Sequence, residues 1–215
     1  MVIPALNEAA SIGAAIDAAF AAGAAEVIVA DGGSDDATVD VARAHNARLV
    51  LEEKIRARQL NRGAELATQD VIAFVHADTL LPIGAADAMQ RAITQGFDFG
   101  GFRLAFLEDS LRLRYVAFMI NTRTRWTRKP WGDQVQFVRR DAFLRAGGYP
   151  DFPIMEDYEL ARRMRHRVLL PHVVRTSGRR FLEKGVLRTS AMNWLVIVSY
   201  HLGVQPARLA RWYRS

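Results

Sequence analysis

The feature that most constrains this chain is a rhythm in its first hundred residues, where short apolar runs alternate with amphipathic stretches of helical spacing. Such alternation is how βαβ units read, because a strand covered on both faces is continuously apolar and the return to a parallel neighbour needs a helix. Strands are predicted at Val2 to Ala5, Glu26 to Ala30, Arg48 to Leu51 and Val71 to Val75. Helices are predicted at Ala9 to Ala22, Asp36 to His45, Arg58 to Ala67 and Ile83 to Thr94, where apolar residues recur every three or four positions. These crossings imply a doubly wound α/β sheet, in which ligands bind outside the carboxyl ends of the strands.

After residue 96 the rhythm changes. Phe97 to Leu107 is a long β-like run, and Leu111, Tyr115, Phe118 and Met119 then mark a helical apolar face. Gln134 to Val138 and Val168 to Val174 are further strand candidates, with a helix from Glu156 to Arg165 and a helical C-terminus from about Arg188. There is no internal repeat and no low-complexity linker. Residues 1–215 therefore read as one domain with two halves, 1–96 and 97–215.

Charge divides along the same line. Residues 1–100 hold 7 Lys and Arg against 14 Asp and Glu, whereas residues 101–215 hold 22 against 9. Only Lys54, Lys129 and Lys184 are lysines, so the cations are mainly Arg, the side chain suited to bidentate contacts with phosphate and carboxylate. The chain has no Cys, which excludes disulfides, zinc thiolates, iron-sulfur clusters and cysteine nucleophiles. Chemistry is left to carboxylates, His, hydroxyls and Arg. The first residues pass straight into Pro4-Ala5-Leu6-Asn7-Glu8 without a basic and then apolar signal, which predicts a cytoplasmic location. The apolar stretch Trp194 to Val204 is shorter than the ~20 residues of a membrane span.

The strand ends carry the polar residues. The first strand runs into Pro4 to Glu8, and the second into Asp31-Gly32-Gly33-Ser34-Asp35-Asp36-Ala37-Thr38. The glycines permit close backbone approach, and Ser34 or Asp35 can cap the next helix, whose amides favour an anion. Asp31 precedes the glycines and is not needed for capping, which makes it the candidate for a base or ribose contact. The fourth strand runs into His76-Ala77-Asp78-Thr79. Continued strand geometry would put His76 and Asp78 on one side, and a carboxylate there can hold a divalent cation that also takes diphosphate oxygens. Arg56 and Arg62, near Arg58, Gln59 and Asn61, read as a solvated helix face. Trp131-Gly132-Asp133-Gln134 precedes a strand, and Glu156-Asp157 opens a helix, where acidic residues complement the dipole.

Together and in this order, these elements resemble the family 2 glycosyltransferases with a GT-A fold. Pro4 to Glu8 resembles the Pro-x-x-Asn-Glu first-strand motif, and Asp31 to Ser34 with Asp36 and Thr38 resembles the Asp-Gly-Gly-Ser-x-Asp-x-Thr motif. His76-Ala77-Asp78 stands where an Asp-x-Asp metal motif belongs, and Glu156-Asp157 resembles the later Glu-Asp motif. Arg58-Gln59-Leu60-Asn61-x-Gly63-Ala64, Phe74-x-His76-Ala77-Asp78-Thr79, Gly132-Asp133-Gln134 and Pro153 to Asp157 are similar to a small bacterial branch of that family, described as arsenosugar-biosynthesis-like.

The resemblance implies a Rossmann-like, mostly parallel GT-A sheet flanked by helices, with a nucleotide-binding half, an acceptor-side half and C-terminal helices. It implies a nucleotide-diphosphate sugar donor, an acceptor hydroxyl and a divalent cation, Mg²⁺ or Mn²⁺, at Asp78. Pro4, Ala5, Asn7, Glu8, Asp31, Gly32, Ser34, Asp36, Arg58, Asn61 and His76 would line the nucleotide side, and Trp131, Asp133 and Gln134 the acceptor side. Asp157 would be the general base of an inverting transfer, beside Glu156. Arg179 and Arg180 could close over the diphosphate. His76 replaces the first Asp of the metal motif and leaves Asp78 as the sole clear ligand, with His172 a further candidate. The Gln-x-x-Arg-Trp motif of processive synthases is absent, which implies single transfer.

Two other uses of the basic half stay open at this stage. One is a non-catalytic anion-binding module, for RNA or anionic lipid, although no nucleic-acid motif is present and nucleic acid is not expected as a partner. The other is peripheral association with the inner membrane surface, through Leu111, Tyr115, Phe118 and Met119 interleaved with Arg112, Arg114, Arg123 and Arg125, which would suit a polyprenyl-phosphate acceptor.

Overall fold

Apolar residues on both faces of β1 (Val2–Ala5) place it inside the sheet of the computed structural model, which describes residues 1–214. The chain continues through α1 (Ile12–Ala21), β2 (Ile28–Asp31), α2 (Thr38–Ala44), β3 (Arg48–Leu51), α3 (Arg56–Leu66) and β4 (Val71–Phe74). A short β5 (Thr79–Leu80), α4 (Ala85–Thr94) and the long β6 (Phe99–Phe106) follow, and α5 (Leu111–Thr127) then leads to a 3₁₀ turn at Gly132–Gln134. Next come β7 (Gln136–Arg139), α6 (Arg140–Arg145), α7 (Glu156–Arg163) and β8 (Arg167–Thr176). Three helices end the described chain: α8 (Arg179–Lys184), α9 (Val186–His201) and α10 (Pro206–Arg214).

The eight strands form one sheet in the order β3-β2-β1-β4-β7-β6-β8-β5. β1 pairs in parallel with β2 and β4, and β2 with β3, as the βαβ rhythm requires. β7 is antiparallel to both β4 and β6 and so joins the two halves, while β6 and β8 run parallel. The expected α/β, mostly parallel GT-A-type sheet with a helical C-terminus is the architecture observed.

Strand alternation sorts the apolar side chains into two cores. Ile3, Val29, Ala73 and Val75 face Ile12 and Ile16 of α1 and Met89 of α4. Val2, Ile28, Ile72 and Phe74 face Leu60 and Ala64 of α3 and Leu160 of α7. A third cluster joins Met155 to Val196 of α9 and Leu209 of α10, so the last helices seat against the residue that precedes Glu156. Among the described residues no helix is long and apolar enough to cross a membrane.

Several boundaries differ from the sequence expectation, and three bear on function. α3 begins at Arg56 rather than Arg58, so Arg56 lies in its first turn. β4 ends at Phe74, and a turn closed by Thr79 N–H donating to His76 O at 3.0 Å follows, so strand alternation does not reach His76 and Asp78. β7 begins at Gln136 because Gln134 belongs to the 3₁₀ turn and Val135 takes a φ of 51°. The two-residue β5 and six-residue α6 were not expected, since neither is long enough to display a period.

Candidate functional site

At the carboxyl ends of β1 and β2 the two motif loops are stitched to each other. Asn7 N–H donates to Ser34 Oγ (2.9 Å), and Asn7 Oδ1 accepts the Asp35 N–H (2.9 Å). Glu8 N–H donates to Thr38 Oγ1 (2.8 Å), and Asp36 Oδ2 accepts the Ala9 N–H (3.2 Å). The Asp36 carboxylate also accepts the Thr38 N–H and hydroxyl, and these bonds hold it below the usual carboxylate range.

Asp31 is 1% exposed, and its carboxylate accepts the Gly33 and Ser34 N–H groups (2.9 Å each) and the Ser34 hydroxyl (2.5 Å). Asp31 therefore ties its own turn, a duty separate from the capping of α2, which begins only at Thr38. Gly33 at φ 84° lets that turn close. Pro4 pairs with Ala30 in the ladder, and Ala5 O accepts both the Gly32 N–H and Gln59 Nε2–H at 2.9 Å.

A second cluster forms where α3, the turn after β4, the 3₁₀ turn and α7 meet. Arg56 reaches His76 Nε2 and lies 3.5 Å from Glu156 Oε1. A guanidinium has only donors, so His76 Nε2 must accept and the ring is neutral. Burial, together with the Arg56 charge, holds the His76 pKa well below its ordinary value. Glu156 is 4% exposed, and burial pushes its carboxyl up against the opposing pull of Arg56. Met155, at φ 70°, starts α7 and turns Glu156 and Asp157 toward this cluster.

Asp157 Oδ2 accepts the Gly132 N–H at 2.7 Å, and Oδ1 accepts the Tyr158 N–H at 2.7 Å. A Cβ at Gly132 would overlap the Arg56 guanidinium and lie 2.9 Å from His76 Nε2, so a larger residue there would push both side chains from their places.

The 3₁₀ turn is held from behind. Gln134 is fully buried: its Oε1 accepts Thr124 Oγ1 (2.7 Å) and Arg123 Nη2 (3.0 Å), and its Nε2 donates to Phe102 O (3.1 Å). Gln136 Nε2 donates to Pro130 O and Asp157 O, both at 2.9 Å, and its Oε1 accepts the Tyr149 hydroxyl at 2.8 Å. Val135, β-branched at positive φ between the two, stores strain of the kind that accompanies functional turns, about 1–3 kcal/mol.

The Arg123 guanidinium stacks 3.5 Å over the Trp131 ring. Burial lowers the Arg123 pKa to about 10 and pushes the Asp133 carboxyl up to about 6. Asp133 Oδ1 and Arg123 Nε are buried without a hydrogen-bond partner. Two polar groups in that condition beside Asp157 and Arg56 suit a site that receives a polar ligand.

Asp78 follows His76 in the same turn and also feels the charge of Arg56. Its carboxylate accepts a long 3.4 Å contact from Thr176 Oγ1; burial raises its pKa, and that contact with the charges of Arg179 and Arg56 opposes the rise. Arg179 in turn stands 3.9 Å from Glu8 Oε2, so Asp78, Arg179 and Glu8 share one mouth. Among the described residues no three His, Asp or Glu side chains converge on a point. The donor set therefore fits a hard cation that takes one protein carboxylate and fills its shell from phosphate oxygens and water. His76, its Nε2 lone pair given to Arg56, is not such a ligand. His172 sits at the irregularity between β6 and β8, edge-on to Phe102.

Three other expected site residues point elsewhere. Arg58 pairs with Asp151 (2.6 Å) and Glu53 (2.5 Å), held by carboxylates of flanking loops. Asn61 donates to Tyr149 O and accepts the Tyr149 N–H, and so anchors the backbone before α7. Arg180 stacks 3.8 Å over Tyr213, whose hydroxyl pKa burial raises. Conversely, the sequence reading gave Arg56 only a solvated helix face; its side chain is indeed 40% exposed, yet it is also the hub of the second cluster. Its position two residues before Arg58, at the start of a helix, was the only signal available.

The model of the family described as "Glycosyl transferase family 2" matches residues 1–148. No protein of curated function matches the chain by sequence. Among solved structures, the mannosyltransferase PcManGT from Pyrobaculum calidifontis, in complex with GDP-Man and Mn²⁺, is similar at TM-score 0.65 and 21% identity. That match covers 91% of this chain and 61% of the mannosyltransferase, so the chain spans about three fifths of its length. Glucosyl-3-phosphoglycerate synthase from Mycobacterium tuberculosis, with Mn²⁺ and UDP-glucose, is similar at TM-score 0.57 and 18% identity, covering 81% of this chain and 68% of that one. Residues 1–349 of S. aureus TarS are similar at TM-score 0.64 and 13% identity, covering 91% and 63%. At such identities the likeness concerns the fold.

Proposed function

The chain belongs to glycosyl transferase family 2, and on that premise we propose that it moves a sugar from a nucleotide-diphosphate donor to an acceptor hydroxyl, with inversion and in single transfers. The observation that carries the reading is the Asp157 carboxylate. It is aimed by the Gly132 and Tyr158 amides and stands in a cluster with Arg56, Glu156 and Asp133.

A sugar hydroxyl is a poor nucleophile until a base within hydrogen-bond reach takes its proton. Asp157 is that base in this reading, with both oxygens oriented before the acceptor arrives. Arg56 balances Glu156 and Asp157 while the proton moves. Asp133 and Trp131 form the acceptor wall, and Gln134 supports that wall from behind rather than touching the acceptor.

On the donor side, the stitched loops of Pro4 to Glu8 and Asp31 to Thr38 shape the nucleotide pocket, with Asn7, Gly32, Ser34 and Asp36 holding its outline. A divalent cation, when bound, supplies charge for the diphosphate leaving group, and Asp78 would hold it. Arg179 reaches the same mouth and adds positive charge for the phosphates. Neighbouring structures with GDP-Man or UDP-glucose and Mn²⁺ support this donor chemistry. Within the family we read residues 1–96 as the donor half, 97–215 as the acceptor half, and the small arsenosugar-biosynthesis-like branch as the subgroup.

The test is calorimetric titration with UDP, GDP and dTDP, each with and without Mn²⁺, on wild type and Asp78→Ala. Metal-dependent binding of one nucleotide, lost in Asp78→Ala, is expected. Well-folded protein that binds none of the three would overturn the proposal.

A further inference from the structure

Neighbouring residues of β8 point to opposite sides of the sheet. Thr176 meets Asp78 on one side, while Arg175 lines a groove of about 890 Å³ bounded by α5 and the β6 and β8 strands. Arg103, Arg125 and Arg128 line the same groove. None of these four arginines has an ion-pair partner among the described residues.

The acidic residues nearby are already engaged. Asp109 pairs with Arg114 at 3.0 Å, and the Glu108 carboxylate accepts Ser177 Oγ (3.1 Å) and the Gly178 N–H (2.7 Å). From 101 to 128 the chain carries six Arg against two acids, so the groove and its rim are strongly positive.

The same helix turns apolar side chains to solvent. Phe118, which lines the groove, is 61% exposed, and Leu111, Tyr115, Met119 and Trp126 are exposed beside it. α9 touches α5 and adds exposed Trp194, Leu195 and Val198. A soluble chain seldom leaves this much large apolar surface in water without a use for it.

The two features together select an occupant. A second copy of this chain would bring its own unpaired arginines against these, and like charges would oppose the contact. A water-soluble polyanion would satisfy the arginines and leave Trp194 and Phe118 wet. An anionic bilayer satisfies both, because phosphates sit at the level of the arginines and acyl chains lie just beneath. We propose that α5, α9 and the arginine groove dock on an anionic lipid bilayer, the groove receiving headgroup phosphates. This inference does not depend on the transfer reaction.

The experiment is sedimentation of the full chain with vesicles of phosphatidylcholine alone or mixed with phosphatidylglycerol. Binding to the mixed vesicles at least roughly tenfold above the neutral ones is expected, falling with added salt. Two variants probe the two features separately: Arg103→Gln/Arg125→Gln/Arg175→Gln, and Phe118→Ser/Trp194→Ser. Each should lower binding about tenfold or more, with wild-type circular dichroism. In wild type, acyl chains brominated in the mixed vesicles should quench tryptophan fluorescence, a readout that needs no variant.

Equal pelleting with both vesicle types, absence of quenching, or unchanged binding by the arginine variant would overturn the proposal. So would binding of inorganic phosphate or RNA without vesicle binding, or self-association that buries Trp194 and excludes vesicles.

Discussion

The Gly132 amide donates to Asp157 Oδ2 at 2.7 Å, across 25 positions of sequence, and so fixes the carboxylate to a backbone turn instead of to another side chain. That turn is itself pinned by the buried Gln134 amide and passes so close to Arg56 and His76 that a Cβ would displace their side chains. Orientation of Asp157 is thus a property of the turn at Trp131 to Gln134.

Gly132→Ala should therefore displace the base without touching the nucleotide loops. A misplacement of about 1 Å can cost about 10²-fold in rate, so kcat should fall by that order while nucleotide affinity holds within about twofold. An unchanged kcat would show that the Gly132 bond does not govern the chemistry.

Arg56→Met tests the hub. Removing the partner of a buried carboxylate leaves that charge uncompensated, which costs about 3–5 kcal/mol for a fully buried pair. Since Arg56 is 40% exposed and Glu156 only 6%, we expect a smaller loss, about 2 kcal/mol. Arg56→Met/Glu156→Gln should recover most of it in urea unfolding. A double variant as unstable as the single would refute the pairing.

Asp133 gives the fold a pH dependence with a definite sign. Its folded pKa, about 6, lies above the ordinary 3.8, so the folded state holds this proton more tightly than the unfolded one. The group's contribution falls as pH rises from about 4 to about 6, and at neutral pH the buried carboxylate is a net cost of up to about 3 kcal/mol. Asp133→Asn should flatten that slope and raise stability at pH 7.5 by about 1 kcal/mol, less than the full cost because Arg123 loses an attractive charge. Denaturation midpoints at pH 4.5 and 7.5 would decide, and an equal slope in both proteins would count against a buried, protonatable Asp133.

Asp78→Asn separates binding from folding. Burial already disfavours its charge, so the amide should leave thermal stability unchanged or slightly higher. The same change should weaken Mn²⁺-dependent nucleotide binding at least about tenfold, as expected when a metal loses its one protein carboxylate. Retained Mn²⁺ dependence would assign the cation to other residues.

What the sequence by itself determined is the α/β sheet and the chain positions of its polar loops. Continuous apolar strands and amphipathic crossovers have local periods, and the motif turns are contiguous in the chain. Tertiary structure alone decided which of those polar groups stay free. Asp31, Asn61 and Gln134 spend their hydrogen bonds on Ser34, Tyr149 and Thr124. Arg58 is held by Asp151 and Glu53, while Arg56, two residues earlier, becomes the centre of the site. Helical geometry turns two residues that far apart to different sides, and beyond the nearby Glu53 the carboxylates they meet are distant in the chain, Asp151 lying 93 positions from Arg58 and Glu156 a comparable stretch from Arg56. Partners at that distance leave no local pattern, so residue type can be read along the chain but its engagement cannot.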